Sequence, residues 1–167
     1  WCPDCVAAQK PNWGHQKKKE DDAERGPEVH FDYCFFRSRP GGTSAPAIIT
    51  REREYGSSAA HVVTFKGGGL EWAVDQCHRD LQKWGILGKV TLRSNQESAL
   101  VDFLRELAKK RGDQCRTMLV QTTVGESASN GFMESSVKSI EGKVRTFWIG
   151  LLRRLGIVLE VSHPVFS

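Results

Sequence analysis

Three polar positions in this chain have the residue types and surroundings of a metal-binding carboxylate site, and one of them breaks the pattern. Asp32 lies within the strand-like run VHFDYCFF, Glu134 lies in SNGFMES at the head of a long helical stretch, and Asn95 ends the run KVTLRSN. Three carboxylates so arranged can hold two divalent cations, which activate the attacking oxygen and stabilise the leaving oxygen of a phosphoryl transfer. At position 95 an amide stands where the third carboxylate is expected.

Two acidic residues, Asp32 and Glu97, have alternative interpretations. A charge within an apolar strand is costly without a partner, so Asp32 is either a metal ligand or a solvent-facing residue of an edge strand. Glu97 follows Asn95 by two residues and is the only nearby acid that could replace the missing one. Glu97 is expected at the start of the following helix. Its use as a metal ligand in place of residue 95 is a minor alternative.

The helix that carries Glu134 also carries basic residues on the same face. Lys138 follows Glu134 by four residues, and Arg145 continues this polar face. Both are candidate phosphate contacts, which would give salt-dependent and largely sequence-independent DNA binding. A solvated helix face explains these residues as well. The turn-rich segment GESASNG before Glu134 favours an active-site loop.

An alternation of strands and helices must position these residues. The strand-like runs are residues 29–36, 47–50, 59–65, 89–93 and 117–121. Turn-rich segments separate the first three runs, which indicates antiparallel strands. Apolar residues at helical spacing predict helices over 70–84, 100–111 and 133–155, with Gly85 and Gly112 ending the first two. Ser127, Ser129 and Asn130 are candidate caps of the last helix. The order predicts an α/β fold with a five-stranded mixed sheet and helices on both faces.

The composition sets broad limits on the class of protein. With 167 residues and 39% hydrophobic residues, the chain can form one well-buried domain with short extensions. A net charge of +4 suits a polyanion partner without requiring one. Five cysteines, an odd number, argue against a disulfide framework and for a reducing, intracellular compartment. No apolar run has the length of a membrane span, and no signal peptide is evident.

The first 15 residues contain half of a possible zinc site. Cys2 and Cys5 have the CxxC spacing of tetrahedral zinc ligands, but two thiolates do not complete a site and an ordinary turn is the alternative. His15 is a weak candidate for a third ligand. Residues 16–27 are charged, lack apolar periodicity and are typical of a solvated linker.

Three stretches of the sequence together resemble one family. EVHFDYCF surrounds Asp32, GKVTLRSNQESALVDF surrounds Asn95 and VGESASNGFMESSVKSIEGKVRT surrounds Glu134. They are similar to the catalytic core of retroviral and copia-type retrotransposon integrases, over about residues 28–155. The 38 residues between positions 95 and 134 suit the spacing of that family's second and third acids.

The resemblance implies an RNase H-like fold and DNA integration through 3′-processing and strand transfer with Mg²⁺ or Mn²⁺. Asp32, Asn95 and Glu134 then correspond to the three catalytic, metal-binding positions, and Asn95 is expected to abolish or severely reduce the activity. Lys138 and Arg145 would contact double-stranded DNA, both element ends and target. Self-association and a nuclear location are implied in the same way.

The resemblance also implies a domain organisation. Residues 1–15 would be the remnant of an N-terminal His-His-Cys-Cys module, in which Cys2 and Cys5 bind Zn²⁺ only with upstream histidines. Residues 16–27 would be a linker, and residues 28–167 a core truncated at its C-terminal end, all within a fragment of a Pol polyprotein. Two alternatives stay open: a non-catalytic DNA-binding or assembly module of the same fold, and a related RNase H-like transposase.

Overall fold

A computed structural model of the chain describes residues 26–37, 44–67, 69–122 and 127–156. Cys2, Cys5, His15 and most of the charged linker lie outside the described residues. The predictions of a zinc-module remnant and of a solvated linker therefore stay predictions.

The described residues form one five-stranded mixed sheet. The strand order is β3-β2-β1-β4-β5. Strands β1, β2 and β3 pair antiparallel, whereas β4 pairs parallel with both β1 and β5. The strands are β1 (Glu28–Arg37), β2 (Ser44–Glu52), β3 (Ser58–Val62), β4 (Val90–Ser94) and β5 (Thr117–Gln121). The predicted sheet is confirmed, although β2 is longer and β3 shorter than their apolar runs.

The strand order corrects one interpretation of Asp32. Strand β1 lies at the centre of the sheet, between β2 and β4. The alternative that Asp32 belongs to an edge strand is therefore wrong. An apolar run alone does not show how many neighbours a strand has, because pairing depends on distant segments.

Helices α1 (Glu71–Lys83) and α2 (Ser98–Arg111) cover one face of the sheet. Gly85 and Gly112 follow them with φ of 75° and 81°, a conformation that favours glycine, so their predicted role as helix stops is confirmed. The main core fills the space between these helices and the sheet. Its largest fully buried side chains include Phe31, Ile48, Leu81, Leu92, Leu100, Phe103, Leu104 and Leu107.

Helix α3 (Ser127–Leu155) covers the opposite face. A second cluster joins Met133 and Ile140 of this helix to Cys34 and Ile49 of the sheet. Helices on both faces are thus confirmed. The helix begins before the predicted start, so Glu134 lies two turns inside it and the predicted caps at positions 129 and 130 are helical.

The apolar stripe of α3 departs from its prediction in the C-terminal half. Trp148 packs against the second cluster, whereas Phe147, one of the apolar residues at helical spacing that predicted a helix over 133–155, is 75% exposed. Contacts with the second cluster extend from Phe132 to Trp148 of this 29-residue helix. Among the helices of the described ranges, none is long and apolar enough to cross a lipid bilayer.

Candidate functional site

The parallel pairing of β1 with β4 brings Asp32 next to Asn95. His30 pairs with Arg93 in this register, and two further residues along each strand lead to Asp32 and Asn95. Side chains alternate between the faces of a strand, so Asp32 lies on the same face as His30 and Cys34, the face covered by α3. A contact between residues 63 positions apart thus follows from the strand register.

The three predicted site residues line one cavity of about 280 Å³. Asp32 comes from β1, Asn95 from the segment after β4, and Glu134 from α3. Asp32 is partly buried, whereas Asn95 and Glu134 are exposed. The fold brings these three side chains to a common space; their catalytic roles stay predictions.

The Asn95 side chain has a defined orientation in this cavity. Its Nδ2 donates a hydrogen bond of 3.2 Å to Oδ1 of Asp32. Its Oδ1 accepts one of 3.0 Å from the backbone N–H of Glu97. Because a backbone N–H can only donate, this second contact fixes which end of the amide faces Asp32. The amide therefore presents its donor, not its oxygen, to the aspartate.

Asp32 is in an unfavourable position for a charge. Burial raises the pKa of the Asp32 carboxyl above its usual value, and the negative charge of Glu97 raises it further. The backbone N–H of Tyr33, 2.8 Å from Oδ1, and the positive charge of Lys66 oppose this effect. A raised pKa at the centre of a polar cavity is typical of functional carboxylates.

The sheet holds the part of α3 that carries Glu134 through contacts at Phe132 and Ser136. The Phe132 ring lies 4.8 Å from the buried His30 ring and 5.2 Å from the guanidinium carbon of Arg51. Nη1 of Arg51 also donates a hydrogen bond of 3.3 Å to Oγ of Ser136. Residues on both sides of Glu134 are thereby fixed to β1 and β2. These contacts place Glu134 at the α3 side of the cavity.

A second cleft, of about 580 Å³, adjoins the first and shares Asp32 and Glu134 with it. The exposed Lys138 lines this cleft, as its predicted role in binding phosphate requires. Arg145 is exposed but lines neither cavity. Cys34 also lines the cleft, but burial raises its pKa to about 12, which removes it as a nucleophile near neutral pH.

The residues present do not fit two divalent cations as they stand. Across the described part of the chain, no group of three or more His, Cys, Asp or Glu side chains is arranged to hold a metal ion. Mg²⁺ and Mn²⁺ prefer carboxylate and water oxygens. This cavity offers two carboxylates and an amide whose NH₂ group points at one of them.

Glu97, the minor alternative for the missing acid, lines neither of the two cavities. It is the N-cap residue of α2, as its predicted position at the helix start required. Its Oε1 accepts a contact of 2.7 Å from Nζ of Lys66, a residue that the sequence analysis did not single out. The one sequence signal for Lys66 is a cation directly after an apolar run and before GGG.

The sheet order, the parallel addition of β4 and β5, and the helices on both faces define an RNase H-like α/β domain. Its two acids and one amide meet where β1 and β4 end their pairing. No family model matches this chain, and no curated protein sequence does either.

Among solved structures, the chain is similar to a chain in the cryo-EM structure of the simian T-cell lymphotropic virus intasome in complex with PP2A regulatory subunit B56 gamma. The TM-score is 0.50 and the sequence identity 12%, over 79% of this chain and 43% of that chain. This chain therefore spans less than half of the length of the chain that it matches. At this identity the similarity shows a shared fold.

Proposed function

We propose that this chain is the catalytic core of a retroelement integrase whose phosphoryl-transfer site is disabled at position 95. The observation that carries the proposal is the shared cavity of Asp32, Asn95 and Glu134, in which the Asn95 amide donates to Asp32. The shared fold with a chain of a retroviral intasome structure supports it. An intact core of this kind would carry out 3′-processing and strand transfer.

The reduced activity follows from charge and from hydrogen bonding. Two divalent cations carry four positive charges, whereas the carboxylates of Asp32 and Glu134 supply two negative charges. The Asn95 amide adds no charge, and its NH₂ group competes with a cation for Oδ1 of Asp32. The two-ion site for Mg²⁺ or Mn²⁺ is weakened accordingly.

Double-stranded DNA is the proposed partner. Lys138 lines the cleft that contains Asp32 and Glu134, and Arg145 lies about two turns further along α3. Both side chains are exposed, as contacts to a phosphate backbone require. A homo-oligomeric assembly and a nuclear location belong to this proposal, and both rest on the integrase function.

The direct test compares the chain with its Asn95→Asp variant. Both are incubated with Mn²⁺ and a duplex that mimics an element end. The amounts of processed and of joined DNA product are then measured. We expect at least about a hundredfold more product from Asn95→Asp, since restoring a charged ligand in such sites is worth several kcal/mol. Asn95→Asp combined with Glu134→Gln is the matched control and should return to background. Equal product from the chain and from Asn95→Asp would refute the proposal.

A second candidate is a non-catalytic DNA-binding or assembly module of the same fold. The Asn95–Asp32 hydrogen bond favours it, because the carboxylate has a partner without a cation. Duplex binding measured with and without Mg²⁺ separates the two candidates. Binding that is unaffected by Mg²⁺, together with an inactive Asn95→Asp variant, would support the module. A related RNase H-like transposase would instead process ends of a different sequence.

A further inference from the structure

The apolar face of α3 continues beyond the part of the helix that packs on the sheet. Among the described residues, Trp148 is the last of this helix that packs against the second cluster. Every residue from 141 to 156 is at least partly exposed. Four apolar residues continue the helical spacing of Ile140 and Val144 and so lie on the same face. They are called the α3 apolar face below: Phe147, Leu151, Leu152 and Leu155.

The α3 apolar face is strongly exposed to solvent. The Phe147 side chain is 75% exposed and that of Leu155 is 50% exposed. A single exposed apolar residue is ordinary on a protein surface, whereas a contiguous row of them marks a surface that binds another molecule. The second half of α3 therefore presents to solvent the same face that binds the sheet in the first half.

Cations border the α3 apolar face on both sides. At 100° per residue, Lys143 and Arg154 fall on one side of the face and Arg145 falls on the other. All three side chains are exposed. Positions 142–156 hold four cations and no acid. The helix dipole accounts for Arg153 and Arg154 in the last turn, but it does not account for Lys143 and Arg145 in the middle of the helix.

We propose that the α3 apolar face is a docking surface for an acidic amphipathic helix. The apolar stripe of such a helix would pack on Phe147, Leu151 and Leu155, and its carboxylates would pair with the cations on both sides. Apolar contacts would supply the affinity, and the charges would select an acidic partner and fix its position. This inference does not rest on the proposed function.

Charge separates this partner from two other occupants. Two copies of α3 laid face to face would bring together four cations from each copy, which repel one another. Duplex DNA would pair with the cations but would leave the apolar side chains without an apolar partner. An acidic amphipathic helix satisfies both the cations and the apolar row.

The first test measures peptide binding to the full chain by fluorescence anisotropy. The probe is a labelled synthetic peptide of about 18 residues, or five helical turns, with Leu at i, i+3, i+4 and i+7 spacing and Glu on both sides of this stripe. We expect saturable binding. A peptide of the same composition without the spacing, and a peptide with Lys in place of Glu, should each bind at least about tenfold more weakly.

Two results of this first test would overturn the proposal. Equal binding of the peptide without the spacing would reduce the interaction to net charge. No binding of the acidic amphipathic peptide to the unchanged chain, as when residues 157–167 already occupy the face, would mean that the surface is closed to such a partner.

The second test removes the most exposed aromatic side chain of the face. Phe147→Ala should weaken peptide binding about tenfold, because large aromatic side chains at the centre of an interface carry much of its affinity. Since Phe147 is 75% exposed, the melting temperature should stay within about 2 °C of that of the unchanged chain. Leu87→Ala is the matched control, because Leu87 is 63% exposed and lies outside α3. Equal peptide affinity of the two variants would contradict the proposal.

The third test concerns the bordering cations. Lys143→Gln combined with Arg154→Gln should weaken peptide binding about fivefold at low salt and reduce its dependence on salt. Lys83→Gln combined with Lys109→Gln removes two exposed charges from α1 and α2 and should leave peptide binding unchanged. Equal effects of the two double variants would indicate a response to net charge and would contradict the proposal. Arg145 is kept because the proposed function gives it a role in DNA binding.

The same variant distinguishes the other occupants. Phe147→Ala should leave both the sedimentation profile of the chain and its affinity for duplex DNA unchanged. A shift of Phe147→Ala to a smaller species would assign the face to a second copy of the chain. Weaker DNA binding with unchanged peptide binding would assign the face to nucleic acid. Either result would overturn the proposal.

These outcomes are separable from those of the proposed function, because the peptide tests contain neither DNA nor a metal ion. If the peptide binds as expected but Asn95→Asp processes no DNA, the integrase function fails and the docking surface stands. If Asn95→Asp is active and the peptide does not bind, the docking surface fails and the integrase function stands.

Discussion

Glu28 and His30 lie two residues apart on the same face of β1, and Nε2 of His30 lies 2.5 Å from Oε1 of Glu28. The same carboxylate oxygen accepts a hydrogen bond of 2.9 Å from Nη1 of Arg53, and Nε of Arg93 lies 3.2 Å away. His30 in turn contacts the Phe132 ring and lines the cavity of the site. Glu28 therefore contacts both His30 and Arg93, two residues that line the cavity of the candidate site.

This arrangement predicts a pH-dependent contribution of Glu28 to stability. The hydrogen bond from His30, followed by the hydrogen bond from Arg53 and the positive charge of Arg93, lowers the pKa of Glu28 from 4.5 to about 2 against the effect of burial. A shift of this size corresponds to about 3 kcal/mol, which partial screening by solvent reduces to about 2 kcal/mol. The contribution is complete above pH 4.5 and is lost as the pH falls towards 2.

We expect Glu28→Gln to lower the free energy of unfolding by about 2 kcal/mol at pH 7 and by much less near pH 2. Denaturant unfolding at several pH values measures this difference. Glu106→Gln is the control, because Glu106 forms an exposed pair with Lys109 on one helix and should change stability by less than about 0.5 kcal/mol. An equal loss from Glu28→Gln at both pH values would show that charge is not the cause.

Asp32→Asn should stabilise the protein at neutral pH. Burial raises the pKa of Asp32, so the charged carboxylate costs stability once the pH exceeds its unfolded-state pKa. Asparagine keeps an oxygen for the N–H groups of Tyr33 and Asn95 without the charge. We expect the melting temperature to rise by about 2–4 °C at pH 7 and the gain to vanish below pH 3.8, the ordinary pKa of the group.

Ser94→Ala is a suitable comparison for Asp32→Asn, because it changes another buried polar residue that lines the same cavity. It leaves the charge of the site unchanged, so the difference in melting temperature between Ser94→Ala and the unchanged chain should not depend on pH in the acid range. A gain from Asp32→Asn that persists at low pH would assign the effect to packing.

Arg111 has a structural role that removal of its hydrogen-bond donors should reveal. Its buried guanidinium donates to the carbonyl oxygens of Ile86 at 3.0 Å and Gly88 at 2.7 Å, and to Oγ1 of Thr117 at 3.0 Å. Arg111→Met would leave these acceptors without their donor, at a cost of about 2–4 kcal/mol. Urea unfolding measures this loss.

The exposed Arg105 provides the matched variant for Arg111→Met. It pairs with Asp102 within α2, and its side chain is 61% exposed. Arg105→Met should change the free energy of unfolding by less than about 0.5 kcal/mol. Similar losses from the two substitutions would mean that the buried hydrogen bonds of Arg111 contribute nothing measurable.

Lys138→Ala should weaken duplex DNA binding if the proposed function is correct. Lys138 is exposed and lines the cleft with Asp32 and Glu134. Loss of one phosphate contact reduces the slope of log K against log salt by about 1 and weakens binding most at low salt. Fluorescence anisotropy at several salt concentrations measures both quantities.

Lys83→Ala is the control for Lys138→Ala, because Lys83 is exposed at the end of α1 and lines neither cavity. It removes the same charge and should leave the salt dependence unchanged. Equal effects of both substitutions would indicate a response to net charge and would remove Lys138 as a specific contact.

Much of the fold could be predicted from local patterns. Apolar, strand-like runs predicted all five strands, and apolar residues at helical spacing predicted α1 and α2, whose buried residues include Cys77, Leu81, Phe103 and Leu107. These patterns are readable because each depends on residues within a few turns or along one strand. Boundaries were less accurate: β2 gained residues by pairing with β1, and α3 extended beyond its apolar stripe.

The sequence alone singled out positions 32, 95 and 134 and predicted a carboxylate site with an amide at position 95, because residue identity and spacing are properties of the chain. Only the tertiary structure decided that β1 is central, that the Asn95 NH₂ group faces Asp32, and that Glu97 is paired with Lys66. These facts depend on the register of β4 against β1 and on contacts between residues more than 30 positions apart. Such contacts are set by the packing of whole elements, and no local pattern records them.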